Sequence, residues 1–253
     1  MVRLRLVPSL ASACLAVACL AVISARSAQA QPRAVIELFT SQGCSSCPPA
    51  DKLIAEYSRD PSVIALSLAV DYWDYLGWKD TLALHGHSMR QRAYARMRGD
   101  RQVYTPQAVV DGAVHVLGSD KAAIERAIDQ TRAQHLSLTV PVTMTQSGDK
   151  LMIKVPEAAD GAGTVHAEVW LCPITKSVHV TIERGENTGH TFTYTNVVRR
   201  WIKLGDWTGA AETFEVSVKD FQNGAIDSAA VMVQSGVASA PKLILGAAQI
   251  PIQ

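Results

Sequence analysis

The sequence is short of charge, of cysteine and of basic clusters. Charged residues are 19% of its 253 positions and the formal net charge is +1, so no cationic face is expected to hold nucleic acid or an anionic membrane. With 48% hydrophobic residues beside that low charge, a disordered chain is excluded and a sizeable core is expected. Five cysteines are too few and too unevenly spread for a disulfide scaffold. No second Cys or His pair follows Cys44 and Cys47 at zinc-finger spacing, which argues against a structural zinc site. Internal repeats are absent, and so are low-complexity tracts beyond the N-terminus. There Arg3 and Arg5 precede an apolar run from Leu10 to Ile23, and Ala28-Gln29-Ala30 follows. The pattern reads as a secretory signal peptide over residues 1–30, cleaved after Ala30; its apolar core is short for a membrane span. An uncleaved anchor and a lipid-bearing Cys19 are the alternatives. Cleavage removes Arg3, Arg5, Arg26, Cys14 and Cys19, leaving a slightly acidic chain with three cysteines. The mature protein is expected to be periplasmic or secreted, with no stable membrane insertion and no nucleic-acid partner.

What is present centres on Cys44-Ser45-Ser46-Cys47. A short β-prone run, Ile36 to Thr40, leads through a polar loop with Gly43 into the two cysteines, and Pro48 opens an amphipathic stretch. Strand, Cys-x-x-Cys and helix in that order read as a thioredoxin-like redox site. A helix N-terminus favours thiolate at the first sulfur. The second thiol, one turn on, is placed to resolve a mixed disulfide. Half of a zinc site and an inert structural disulfide are the competing readings.

The periodicity predicts a strand over Arg33–Thr40, a helix over Asp51–Arg59 and a central strand over Val63–Val70, which together make a parallel βαβ unit. Asp71 to Trp78 then gathers Tyr72, Trp73, Tyr75 and Trp78 where loops leave the sheet's carboxyl edge. Helix is expected over Thr81–Arg98, a hairpin about Asp111-Gly112, and a last helix over Asp120–Gln134. After His135 only strand-like segments follow: Leu136–Thr145, Leu151–Val155, Val165–Cys172, Val178–Ile182, Phe214–Val218, Ala229–Gln234 and Leu243–Ile250. That change predicts two domains, 31–135 α/β and thioredoxin-like, and 136–253 smaller, β-rich and sandwich-like.

Thr105-Pro106 stands where the thioredoxin fold carries the cis-proline that faces its cysteines. Beyond that fold, Phe39–Asp51, Asp71–Trp78, Tyr104–Gln107, and Gly185-Glu-Asn187 through Asn196-Val-Val198 resemble a bacterial exported family known only as a domain of unknown function. The likeness spans nearly all of the mature chain. It implies a thioredoxin-like domain with a β-rich extension, and no established substrate. Three departures from thioredoxin itself stand out: Ser45-Ser46 in place of Gly-Pro, Gly43 in place of an aromatic residue, and a longer segment from Asp71 to Arg101.

The resulting expectation is an exported thiol–disulfide oxidoreductase acting on a protein or small-molecule thiol or disulfide. Cys44 would be the exposed nucleophile and Cys47 the resolving thiol. Thr105, Pro106, Trp73 and Trp78 would line the substrate groove, with no cofactor and no metal. Glu37, seven positions before Cys44, is the candidate proton acceptor, with a strand-end surface carboxylate as the alternative. Cys172 reads as a buried free thiol. Asn187, Gly189, Asn196 and Trp201 read mainly as turn chemistry. A function of another class is a copper or other ligand carrier without turnover, in which His85, His87 or His115 would join the two thiolates.

Overall fold

The computed structural model describes residues 31–159 and 166–253; the expected signal segment lies outside the described residues. The first half comprises β1 (Ala34–Thr40), α1 (Pro48–Tyr57), β2 (Val63–Ala69), α2 (His85–Arg98), β3 (Gln107–Val110), β4 (Val114–Leu117) and α3 (Lys121–Ala133). Only strands and one short 3₁₀ turn follow: β5 (Thr143–Ser147), β6 (Lys150–Val155), β7 (Ala167–Thr181), β8 (Thr191–Val198), β9 (Ile202–Trp207), β10 (Glu212–Ser217), β11 (Ser228–Val237) and β12 (Ala240–Pro251). This is a mixed α/β fold with one large mixed sheet and a second, three-stranded sheet.

β1 and β2 are buried along their whole length because they pair in parallel with apolar cover on both faces. Ala34, Ile36 and Leu38 pack with Leu53 and Ile54 of α1 and Ile124 and Ile128 of α3. Val35 and Phe39 point the other way, into a cluster that holds Tyr94 of α2 and also Cys172, Ile174, Ala230, Met232 and Ile244 from the second half.

The large sheet runs β12-β11-β7-β8-β2-β1-β3-β4, with β9 pairing to β7 off that path. It therefore continues across the change of pattern near His135, and the cluster around Phe39 draws on both sides of it. The seam is thin in backbone terms, because β2 meets β8 at the single register pair Ser67 and Val197. Side chains reinforce it. Ser67 Oγ donates to Thr195 O at 2.7 Å, and Asn196 Nδ2 donates to Ala65 O at 2.9 Å. Asn196 takes a left-handed φ of 50°, which Asn tolerates better than most residues. The small sheet β10-β6-β5 packs Leu151, Ile153 and Val155 against Val169, Leu171, Val231 and Val233 of the large one.

A buried ion pair ties the halves beneath the sheet. Arg90 of α2 gives Nε to Glu37 Oε1 at 2.6 Å and Nη2 to Glu37 Oε2 at 3.1 Å. The same Nη2 reaches Gln234 Oε1 of β11 at 2.8 Å. Tyr94 donates its hydroxyl to Glu37 at 2.6 Å and accepts from Gln234 Nε2 at 2.7 Å. Trp201 closes over the guanidinium, 4.3 Å from ring centre to Cζ.

The Asp111-Gly112 turn is likewise a junction. Asp111 accepts from Val35 N, Thr131 Oγ1 and Ser137 Oγ, and its carbonyl accepts from Ile244 N of β12. Several boundaries depart from the sequence reading. α2 begins at His85 rather than Thr81, because the Asp80 carboxylate takes the amides of Gln42 and Leu82 and holds that stretch as a turn. The two strands expected on either side of Pro173 are one strand, β7. Pro173, with no N–H to give, falls where β7 exchanges β9 for β8 as neighbour. β8 and β9 were not among the expected strands.

Arg90→Met should leave the Glu37 carboxylate buried without its cation. A loss of about 3–5 kcal/mol is expected, read as a lowered urea midpoint. An unshifted midpoint would show that the pair does not hold the halves together.

Candidate functional site

The loop between β1 and α1 carries the two cysteines. The amide of Gly43 donates to Ser41 Oγ, that of Cys44 to Ser41 O, and that of Cys47 to Cys44 O. These bonds wind the chain into a tight turn that ends on Cys47, the residue capping α1. Pro48 and Pro49 occupy the first helical positions, where a missing N–H costs nothing. Cys44 and Cys47 are joined as a disulfide.

That disulfide is covered. Cys44 is 1% exposed and Cys47 0%, while Ser45 and Ser46 face solvent. The expectation that Cys44 is an exposed nucleophile is thus corrected. Trp73 lies against the loop so closely that a Cβ on residue 43 would stand 3.1 Å from the Trp73 Cβ. Glycine at 43 leaves room for the Trp73 Cβ and backbone against the cysteine loop. Trp73 Nε1 donates to Thr105 Oγ1 at 2.8 Å, and the Thr105–Pro106 peptide is cis. Pro106, Leu38 and Ala50 surround Gly118, where a Cβ would press on the Leu38 side chain. Trp78 Nε1 donates to Gln42 Oε1 at 2.8 Å. The structure therefore brings Cys44, Cys47, Trp73, Trp78, Thr105 and Pro106 to one edge of the sheet.

Glu37 does not join them, being held by Arg90 and Tyr94. A different carboxyl stands closer in the chain. Asp51 follows Cys47 by one helical turn, its amide donating to Cys47 O at 3.1 Å, so both side chains share a face of α1. Asp51 is buried, accepts from Thr40 Oγ1 at 2.8 Å through Oδ1, and keeps Oδ2 without a partner. Burial pushes its pKa up from 3.8 to about 7, with the Thr40 bond pulling down and the nearby Asp80 charge pushing up. The signal was legible, since Asp51 lies four residues after Cys47 and three before Ile54 on the buried stripe. Asn187, read from the sequence as turn chemistry, is buried and donates to the carbonyls of both Gln42 and Cys44.

Cys172 is a buried free thiol whose pKa burial raises. The three histidines are each engaged with another group. His85 pairs with Asp71 and His115 with Asp100. His87 binds Ala69 O, and burial lowers its pKa to about 4. Among the described residues no group of three His, Cys, Asp or Glu side chains is arranged to hold a metal.

Residues 35–234 match the family described as protein of unknown function (DUF1223). The chain belongs to that family. It is similar to the crystal structure of protein AGR_C_4864 from Agrobacterium tumefaciens, with 33% identity, a TM-score of 0.78, and cover of 88% of this chain and 96% of that one. It is also similar to HBP35 of Porphyromonas gingivalis, with 14% identity, a TM-score of 0.58, and cover of 87% and 75%; that likeness is one of fold alone. No curated protein matches the sequence. The family description leaves the function open, and only the local chemistry bears on it.

Asp51 gives a pH signature. Its folded pKa lies above the unfolded one, so the folded state holds that proton more tightly. Stability from this group is fully present below the unfolded value of 3.8 and is lost as pH rises through about 7. Asp51→Asn removes this titration. The wild-type minus variant difference in unfolding free energy should fall by about 4 kcal/mol between about pH 4 and pH 8, measured by urea titration of the oxidised proteins. A difference that stays flat would show that Asp51 is not held protonated.

Proposed function

We propose that this chain is an exported thiol–disulfide oxidoreductase built on a thioredoxin-like domain, acting on a protein or small-molecule thiol or disulfide. The observation that carries the reading is the Cys44–Cys47 disulfide at the start of α1, off the carboxyl end of β1. The strand order β2-β1-β3-β4, with β1 parallel to β2 and antiparallel to β3, supports the thioredoxin-like part. So does the cis Thr105–Pro106 bond just before β3. The signal-like segment 1–30 supports export to a compartment where disulfides form.

In the reduced pair, the partial positive charge at the start of α1 favours a Cys44 thiolate. That thiolate attacks one sulfur of a partner disulfide. A Cys44–partner bond forms, the partner's S–S bond breaks, and the departing sulfur takes a proton. Cys47 then gives its proton to the Asp51 carboxylate and attacks Cys44 Sγ. The Cys44–Cys47 bond forms, and the second partner sulfur leaves with the proton from Asp51. One disulfide is reduced and one is formed, and the reverse sequence oxidises a dithiol. A buried acid with a pKa near neutrality is suited to carry that proton both ways.

The test is dithiothreitol-driven reduction of a protein disulfide substrate. Cys44→Ser should lower turnover by about 10²-fold or more with an unchanged circular dichroism spectrum. Cys47→Ser should accumulate a mixed disulfide with the substrate, visible by mass. Absence of any Cys44-dependent turnover would refute the catalytic reading.

A further inference from the structure

The β7–β8 hairpin belongs to the strand-only half, yet its tip reaches the cysteine loop. The amide of Ile182 donates to His190 O at 2.9 Å and that of Gly189 to Ile182 O at 2.8 Å, which closes the turn. Gly185, at φ +86°, brings the backbone beside Trp78 and Leu76. From this tip Asn187 Nδ2 donates to Gln42 O at 2.8 Å and to Cys44 O at 3.1 Å. On the other flank Trp73 lies against Gly43 of the loop and donates its indole N–H to Thr105. Two segments from distant parts of the chain thus hold the loop in which Cys44 is 1% exposed.

We infer that Asn187 is a positioning residue that keeps the disulfide closed to small thiols and so selects polypeptide partners. The inference rests on the redox reading for its functional meaning. Attack on Cys44 requires the loop to open, and a partner shifts that equilibrium only by the extra contacts it makes with the open form. A polypeptide laid over the edge has a large surface to offer Tyr75, which is 78% exposed and stacked on Trp73 at 6.5 Å. It can also meet the exposed Ser45 and Ser46. A tripeptide thiol has far less to offer.

The probe is reduced glutathione. Its thiolate attacks Cys44 Sγ, breaks the Cys44–Cys47 bond and leaves the electron pair on Cys47, which takes a proton. A second glutathione attacks the glutathione sulfur of the mixed disulfide, which forms oxidised glutathione and frees Cys44. Coupling to NADPH through glutathione reductase draws the reaction forward and reports its rate. Asn187→Ala should speed this reduction about tenfold, from the loss of two hydrogen bonds that hold the closed loop. Asn187→Asp, of the same size but unable to donate to carbonyls, should speed it comparably. At saturating concentrations of a reduced polypeptide dithiol, whose own contacts already hold the loop open, the variants should gain far less than they do with glutathione, a selectivity that general loosening would not produce. Glutathione rates indistinguishable from wild type in variants with native near-ultraviolet dichroism would overturn the inference. So would a wild-type protein that reacts as fast with glutathione as with the polypeptide dithiol, a comparison that needs no variant. Both readouts are stoichiometric reductions of this disulfide, so they stand or fall separately from the catalytic turnover on which the redox reading depends.

Discussion

The Glu37–Arg90 ion pair is the constraint on which the arrangement depends. A carboxylate at the middle of a fully buried strand would be ruinous without a cation, and a buried guanidinium equally so. Each is satisfied only when α2 lies across β1 and when β11 brings Gln234 alongside. The pair therefore dictates where the strand-only half docks. Trp201 and Tyr94 complete the enclosure, one over the guanidinium and the other bridging Glu37 and Gln234. The β2–β8 seam, with its single backbone register pair, can be thin because this network holds the two halves from beneath.

That docking has a consequence at the far edge of the sheet. Once β8 is set beside β2, the β7–β8 hairpin hangs over the cysteine loop, and Asn187 meets the carbonyls of Gln42 and Cys44. The aromatic segment after β2 is drawn in from the other side by Gln42, Thr105 and the gap at Gly43. The site is thus built by three segments remote in sequence, and it is closed. A cysteine pair alone in its turn would stand open to solvent; here the strand-only half supplies part of the wall.

Much of this was legible in the residues. β1, β2 and the Asp111-Gly112 hairpin carry short-range signals, namely unbroken apolar runs and a turn dipeptide. Cys44, Cys47, Thr105 and Pro106 declare themselves by spacing and type. What escaped was set by partners far along the chain. Glu37 looked free to act because nothing local shows that Arg90, 53 residues on, will claim it. Asn187 looked like a turn residue because its acceptors lie 145 and 143 residues earlier. Expected strand before Thr143 is instead irregular. His135 and Leu138 adopt positive φ, and the amides of Leu138 and Val140 pair with Ile244 and Leu245. Gly246 lets the Val140 carbonyl approach. β8 alternates from Thr191 to Thr195 and is rich in Thr, Phe, Tyr and Val, a strand signal the sequence reading passed over, and Asn196 breaks the rhythm only near its end. β8 and β9 both pair along one edge of β7, β9 beside Ala167–Leu171 and β8 beside Ile174–Thr181.

The central claim is that the covered Cys44–Cys47 bond is a working redox couple rather than a staple. Its reduction potential, measured by equilibration of the whole protein with thiol–disulfide buffers and read by alkylation and mass, tests this most directly. A working couple should lie above about −300 mV, in the range of exchange catalysts. A potential well below about −300 mV, where structural disulfides of secreted proteins sit, would contradict the account.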